Sequence, residues 1–457
     1  MQPPAEIFKA YDIRGIVGRT LTAPIVAAIG QALGDLARER GCDTIVIGRD
    51  GRLSGPSFAQ ALGDGIRESG ADVIDIGMVT TPMTYFAAEH LATHCSVMVT
   101  GSHNPPDYNG LKMVIAGSTL SGDDIQQLRA RIGQHRAAGG KGSYTSEDVA
   151  AAYIARVTGD VKLARPMKIA IDCGNGVAGA YAPALFRAMG CDVVELYCDV
   201  DGRFPNHHPD PSQPANLADL IARLAMGDCE LGLAFDGDGD RLGVVTREGS
   251  VIFADRQLML FAADVLARVP GATIIYDVKS TRNLAPWITR HGGTPLLWKT
   301  GHSLIKAKMK ATGAALAGEM SGHTFFAERW YGFDDGLYAA ARLLEIVSRH
   351  ADAGALLDAL PDAICTPELA IACNEGEQHT LVARMQRDAR FPSAQQVIQL
   401  DGLRVEYADG FGLARASNTT PSIVLRFEAG SALAMAQIQQ EFRTAFGDAM
   451  PGVALPF

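Results

Sequence analysis

The sequence predicts an α/β protein of three consecutive mixed α/β domains with βαβαβ cores, followed by a C-terminal α+β domain. Three observations predict it. Short β-branched runs alternate with amphipathic, alanine-rich stretches; the alternation occurs three times; and beyond about residue 362 the texture changes to turn-rich, alternating strands.

In the first unit, 44–48 "TIVIG", 72–76 "DVIDI" and 96–100 "SVMVT" read as strands, with helical stretches at 56–69 and 81–91 between them. The order returns with strands at 168–172, 192–197 and 231–235 and helices at 178–189 and 215–226. It comes again with strands at 273–278, 294–298 and 314–318 and helices near 283–291 and 302–311. The expected domains are 1–148, 149–250, 251–362 and 363–457. The units share little literal identity, so the repeat is one of architecture. Ligands of such sheets gather at the carboxyl ends of strands, which directs attention to the loops after each third strand: "TGSHNP", "FDGDGDR" and "GEMSGH".

The composition, 47% hydrophobic and 20% charged over 457 residues, is that of a water-soluble protein, and no apolar run approaches a membrane span. The start, "MQPPAEIFKAYDIRG", has neither the basic beginning nor the apolar core of a secretion signal. Eight cysteines without a C-x-x-C pair read as reduced cytosolic thiols rather than zinc ligands, so a cytoplasmic protein is expected. A net charge of -10 speaks against nucleic acid. We expect no nucleic-acid or membrane partner and a monomeric chain. An anionic ligand would need locally gathered Arg and Lys.

The loop "AFDGDGDR" sets Asp236, Asp238 and Asp240 at alternate positions, which brings three carboxylates to one side of an extended segment while the glycines let the backbone wrap. They repel unless a cation sits among them, and hard oxygen ligands favour Mg²⁺ or Ca²⁺. An EF-hand is excluded, because its sixth and twelfth positions are Arg241 and Arg247. The bland reading is an acidic surface turn. Mg²⁺ keeps open positions that a phosphate oxygen can fill, and that phosphate could belong to the protein. Ser102, in the rigid loop "TGSHNPPDYNG", lacks the flanking pattern of an acyl-transfer serine. Phosphorylated, it would carry about −1.5 to −2 charge and suit the metal. His103 and Lys112 are near enough in sequence to act as base or charge stabiliser. "RASNTT" offers Arg415, the hydroxyls of Ser417, Thr419 and Thr420, and turn amides to a phosphate dianion. On the bland readings it is a hairpin turn, and His302 and His323 are structural histidines.

"FKAYDIRG", "TGSHNPPDYNGLKM", "AFDGDGDRLGVV", "GEMSGHTFF" and "RASNTTPSIVLRFE", in this order over essentially the whole chain, resemble the α-D-phosphohexomutase family in its bacterial phosphomannomutase/phosphoglucomutase branch. The resemblance implies a mutase that interconverts hexose 1- and 6-phosphates of mannose and glucose. It implies a phosphorylated Ser102 that completes the site of one Mg²⁺ per chain with Asp236, Asp238 and Asp240. Glucose 1,6-bisphosphate is the implied activator. Glu319 and Ser321 would read sugar hydroxyls, and Arg415, Ser417, Asn418 and Thr419 would clamp the distal phosphate, which requires the four domains to be arranged around a central cleft. Tyr11, Arg14, Lys112, Arg241, Lys279, His302 and His323 match further active-site positions; with Ser102 and His103, Lys112, Arg241 and His323 form the implied catalytic set. Ser280, where relatives often have cysteine, and Ser212, where glycine is commoner, depart from the pattern away from catalytic positions.

Three rivals are open to the sequence. "DCGNGVAG" matches G-x-G-x-x-G through Gly174, Gly176 and Gly179 with Glu195 beyond, as in a dinucleotide site, although Asp172 would repel a pyrophosphate. Asp236 could be an aspartyl nucleophile of the haloacid-dehalogenase kind, but Asp240 stands where Thr or Val is usual. A non-catalytic phosphosugar sensor would bind without turnover.

Overall fold

The computed structural model describes residues 3–134, 140–374, 376–418 and 420–457. Four sheets follow one another along the chain. In the first, Thr44–Arg49 lies between Asp72–Met78 and Ser96–Val99, parallel to both, and Tyr108–Ile115 returns antiparallel beside Ser96–Val99. The second repeats this with Lys168–Asp172 between Asp192–Leu196 and Leu231–Phe235, and Leu242–Thr246 returning. The third does so with Thr273–Asp277 between Thr294–Trp298 and Leu316–Gly318, and Thr324–Phe326 returning. The nine expected parallel strands are all present, and each sheet carries one antiparallel return strand that the periodicity did not reveal.

Two expected helices break in the middle. The stretch 178–189 is a 3₁₀ turn, Val177–Ala180, then the α-helix Ala182–Ala188, because Pro183 in the first turn restarts the helix. The stretch 215–226 divides likewise at Leu217. The first sheet gains a strand, Ile13–Ile16, paired with Tyr108–Ile115 with Arg14 opposite Gly110. The helices Ala23–Glu39 and Gly55–Glu68 touch through small residues; a Cβ on Gly65 would lie 2.0 Å from the Ala27 carbonyl oxygen.

The fourth sheet is antiparallel, running Ile364–Cys365, Ser422–Ala429, Gly410–Ala416, Leu403–Tyr407, Gln396–Ile398, with Leu369–Ala372 also on Ser422–Ala429. Glu377–Asp388 and Ala432–Ala449 are its helices, the latter capped by Ser431. This is the α+β unit expected. One continuous core joins the first three units, from Val46 and Phe86 through Ile169 and Phe235 to Phe326 and Leu337. The fourth has its own, around Val405, Phe427, Phe442 and Phe446. A small cluster of Val278, Phe411 and Leu413 connects it to the third.

The glycines of "DCGNGVAG" serve this packing. Asp172 accepts the Gly174 N–H at 2.9 Å and faces His207 Nε2 at 3.0 Å, so the loop is closed on itself. A Cβ on Gly179 would lie 2.0 Å from the Cys198 carbonyl oxygen, and one on Gly176 3.0 Å from that of Asp236. The motif spacing arises from close backbone approach, not from a pyrophosphate cradle.

Candidate active site

The three singled-out loops occupy one topological position: each joins a third parallel strand to its antiparallel return. Val99 pairs with Leu111, Phe235 with Leu242, and Gly318 with Thr324, so the loops between them project from the same ends of their sheets. They line or underlie a single cleft, completed by residues of the fourth unit.

Ser102 stands in that cleft, 2% exposed, with φ +48°. Its N–H donates to Thr100 Oγ1 at 2.7 Å; its Oγ lies 3.2 Å from Asp236 Oδ2 and 3.1 Å from His103 Nδ1. Burial, with Arg241 and Arg14 nearby, holds the His103 imidazole neutral, well below its ordinary pKa. A Cβ on Gly237 would lie 2.4 Å from the Ser102 carbonyl oxygen, so the serine loop rests directly on the aspartate loop.

The aspartate loop is a compact turn, and this corrects the extended segment expected from the alternating carboxylates. Gly239 takes φ +76°, and Asp236 Oδ1 accepts the N–H groups of Asp240 and Arg241 at 3.1 and 3.2 Å. Convergence therefore comes from the turn, and oxygens of Asp236, Asp238 and Asp240 lie within 4.8 Å of one another, fully buried. Thr81 clasps the loop from the first unit, its hydroxyl 2.5 Å from Asp238 Oδ2. Lys112, carried by the return strand Tyr108–Ile115, places Nζ 2.7 Å from Asp238 Oδ2 and 2.5 Å from Asp240 Oδ2.

Burial and repulsion from Asp238 and Asp240 push the Asp236 carboxyl well above the ordinary carboxylate range. For Asp240 burial acts the same way, but Lys112 and His323 outweigh it and hold the carboxyl well below. Asp238 Oδ1 is buried without a hydrogen-bond partner. A buried, incompletely satisfied set of three carboxylates around one point fits a divalent cation held by hard oxygen ligands.

In the third loop, His323 Nε2 lies 3.2 Å from Asp240 Oδ1, and its Nδ1 3.2 Å from Glu319 Oε2 and 2.9 Å from Ser321 Oγ. Burial opposes a charge on this histidine, yet Asp240 and Glu319 raise its pKa to about 9. Arg241 pairs backbone with His323 and so ties the second loop to the third; its guanidinium approaches Asp210 Oδ1 at 3.6 Å. Glu319 accepts the Gly301 N–H at the start of the helix His302–Thr312. His302 is held neutral by burial and by Lys306. Neither histidine is a remote structural residue, since both line the cleft.

Tyr11 reaches across the molecule: its hydroxyl accepts from Asn418 Nδ2 at 3.0 Å, and its ring meets His302 edge-on at 5.8 Å. Arg14 bonds Asn104 and Asp12. Both line the cleft; Tyr11 joins the first unit to the third and fourth, whereas Arg14 is held within the first. In the fourth unit Arg415, Ser417 and Asn418 line it too, while Thr420 donates to Ser417 at 2.9 Å from outside it. Thr420 therefore backs the anion loop rather than presenting its hydroxyl, as the sequence suggested. Thr419 lies outside the described residues. Ser212 lines the cleft and donates to Asp210 at 2.7 Å; Ser280 is in the core against Asp277 at 2.7 Å.

Sequence reasoning passed over Arg52. Its fully buried guanidinium donates to the carbonyl oxygens of Ser102, Asn104, Pro105 and Tyr108 at 2.5–2.9 Å and rests on Asp50 at 3.3 Å. A Cβ on Gly101 would lie 2.4 Å from Arg52 Cζ, which accounts for the glycine before the serine. Asp50 and Arg52 follow the strand Thr44–Arg49, so the same carboxyl-end rule that exposed the other loops points to them. Asp12, Glu368 and Arg426 also line the cleft unanticipated.

Four family models match in sequence: alpha/beta/alpha domains I, II and III of phosphoglucomutase/phosphomannomutase over residues 5–138, 151–249 and 254–364, and the C-terminal domain over 368–445. Phosphoglucomutase of Neisseria gonorrhoeae is 57% identical over 441 residues, 96% of each chain. Phosphomannomutase/phosphoglucomutase of Pseudomonas aeruginosa strain PAO1 is 53% identical over 455 residues, 99% of this chain and 98% of that one. The crystal structure of a phosphoglucomutase/phosphomannomutase family protein from Burkholderia thailandensis superposes with a TM-score of 0.94 at 58% identity, covering 99% of both chains.

Proposed function

The chain belongs to the phosphoglucomutase/phosphomannomutase family, and from that premise we propose that it interconverts the 1- and 6-phosphates of glucose and mannose through phospho-Ser102 and a hexose 1,6-bisphosphate. It is a hexose-phosphate mutase, an isomerase working by phosphoryl transfer. One observation supports the route above others: a single cleft holds a serine hydroxyl seated on a carboxylate cluster at one end and arginines with unmet donors at the other. That arrangement suits a ligand with a phosphate at each end.

In the forward half-reaction the ester bond between Ser102 Oγ and phosphorus breaks as a bond from a sugar hydroxyl to phosphorus forms. The hydroxyl gives up its proton, and Ser102 Oγ takes one. His103, 3.1 Å from Ser102 Oγ, is placed to carry that proton. Lys112 and Arg241 offset charge on the phosphoryl oxygens, which the carboxylates alone would repel. Asp236, Asp238, Asp240 and a Ser102 phosphate oxygen would hold Mg²⁺, which when bound screens the transferring group. The bisphosphate then turns end for end, and the reverse transfer restores phospho-Ser102. Added glucose 1,6-bisphosphate activates by rephosphorylating enzyme that has lost the group. The substrates are small hexose phosphates taken by a monomeric, cytoplasmic enzyme.

Glu319 and Ser321 are assigned to the sugar's O3 and O4, which glucose and mannose share, so C2 goes unread. A site built to bond a hydroxyl rejects analogues that lack or misplace it. A coupled assay comparing kcat/KM for glucose 1-phosphate, mannose 1-phosphate and galactose 1-phosphate tests this. The first two should be used comparably and the third poorly; equal use of galactose 1-phosphate contradicts the assignment.

A further inference from the structure

At the distal end of the cleft, Lys279 leaves the strand Thr273–Asp277 of the third unit and meets a carboxylate from the fourth: Nζ lies 2.8 Å from Glu368 Oε2. Both residues line the cleft, as do Arg415 and Arg426. We infer that the Glu368 carboxylate occupies the position of the ligand's distal phosphate on Lys279 and gives way when that phosphate binds. This rests on the reading of the Arg415 end as the distal phosphate site.

The hydrogen-bond balance at this end is incomplete. Arg415 spends Nε on Asp401 at 3.2 Å, and Arg426 spends Nη2 on Asp255 at 3.2 Å. Arg415 Nη2 and Arg426 Nε and Nη1 are buried with no partner. Buried donors of charged groups left unmet are costly, and they mark a place where an anion belongs. One carboxylate brings a single charge and two oxygens. A phosphate dianion brings two charges and three terminal oxygens, the better complement to a lysine and two guanidinium edges.

Glu368 and Lys279 are unequally held. The Lys279 side chain is 8% exposed, whereas that of Glu368 is 42% exposed. The carboxylate therefore already meets water and can swing out once a phosphate takes its place on Lys279, while the lysine stays. In the absence of ligand the carboxylate adds to Asp277 in offsetting the charge of the buried ammonium. Glu368 directly precedes the strand Leu369–Ala372, on the segment that leads from the third unit into the fourth. Its release from Lys279 removes a tie between those units at the moment of binding.

The sign of one substitution separates this role from a structural one. Glu368→Gln keeps the shape and a hydrogen-bonding oxygen for Lys279 but removes the competing charge. The competitive inhibition constant of inorganic phosphate should fall by about fivefold, the scale of one partly exposed ion pair, and KM for glucose 1-phosphate should fall with it. Glu368→Ala should shift the constant the same way. If Glu368 merely braces the two units, both variants loosen the site, and an unchanged or raised constant overturns the inference. Arg415→Ala, measured alongside, should raise the phosphate constant. Should it leave the constant unchanged, the distal phosphate reading fails first, whatever Glu368 does.

Discussion

The first three units and the fourth solve different problems. One hydrophobic core runs through the first three units, beside a second that belongs to the first alone, and their loops are cross-bonded: Thr81 to Asp238, Lys112 to Asp238 and Asp240, Arg241 to His323, Ser102 to Asp236. The fourth has a core of its own and meets the rest through a small apolar cluster and polar ties such as Tyr11 to Asn418. Its cleft-facing guanidiniums keep unmet donors. Chemistry that must transfer a phosphoryl group without loss to water needs groups fixed in advance. Recognition of a ligand that has to turn around needs an end that can let go. We propose that the fourth unit moves against the remainder and closes as a lid over the cleft.

The comparison can be broken most strongly at the rigid end. Ser102→Ala should lower turnover by roughly 10³-fold or more, because the Thr81 hydroxyl, which also stands on the carboxylate cluster, is fully buried and does not line the cleft. Intact mass should lose the acid-stable phosphate, and normal turnover in this variant would remove the phosphoserine route. At the mobile end the loss should be smaller. Arg415→Ala forfeits a charge-assisted contact of about 1.5–3 kcal/mol, read as kcat/KM falling while metal binding and Ser102 phosphorylation persist. The bisphosphate should also escape more often, so added glucose 1,6-bisphosphate should restore part of the rate. An Arg415→Ala enzyme deficient in metal binding would show that the two ends are not separate.

The smallest effect concerns the shared core. Asp335 caps the helix Gly336–Val347, accepting the Tyr338 N–H at 2.9 Å, and takes the Tyr153 hydroxyl at 2.9 Å on either oxygen. Burial, with Asp334 adding repulsion, raises its carboxyl to about 7 against these hydrogen bonds. The native state therefore favours the neutral acid. Below pH of about 4 native and unfolded chains are both protonated and the preference is fully present. As pH rises towards 7 the unfolded chain ionises first, and stability falls until the native carboxyl ionises too. Asp335→Asn keeps an accepting oxygen for the cap and removes the titration, so it should gain ~2 kcal/mol over the parent above pH 7. Urea unfolding at pH 5 and pH 8 measures it; equal stabilities of parent and variant at pH 8 would place the charge elsewhere.

The sequence made the three loops legible because glycine, proline and carboxylates interrupt β-branched runs at one recurring point, the carboxyl end of each third strand. It did not make their geometry legible. Alternating aspartates suggested an extended segment, whereas the hydrogen bonds of Asp236 to the Asp240 and Arg241 amides form a turn, a preference that no side-chain period reveals. The return strands, as short as Thr324–Phe326, offer too few residues for an alternation to stand out. Arg52 went unnoticed because its partners are carbonyl oxygens fifty or more residues away, and carbonyls leave no mark in a sequence. Tyr11 and Asn418, 407 residues apart, meet only once all four units are in place.

On the proposed route Ser102 passes its phosphate to the sugar and takes one back. This is tested most directly by a single turnover of enzyme carrying ³²P on Ser102, mixed with excess unlabelled glucose 1-phosphate. Label should leave the protein as fast as one catalytic cycle and appear in glucose 1,6-bisphosphate and glucose 6-phosphate, with none incorporated in Ser102→Ala. Label that stays on the protein through many turnovers, or leaves only as inorganic phosphate, would contradict it.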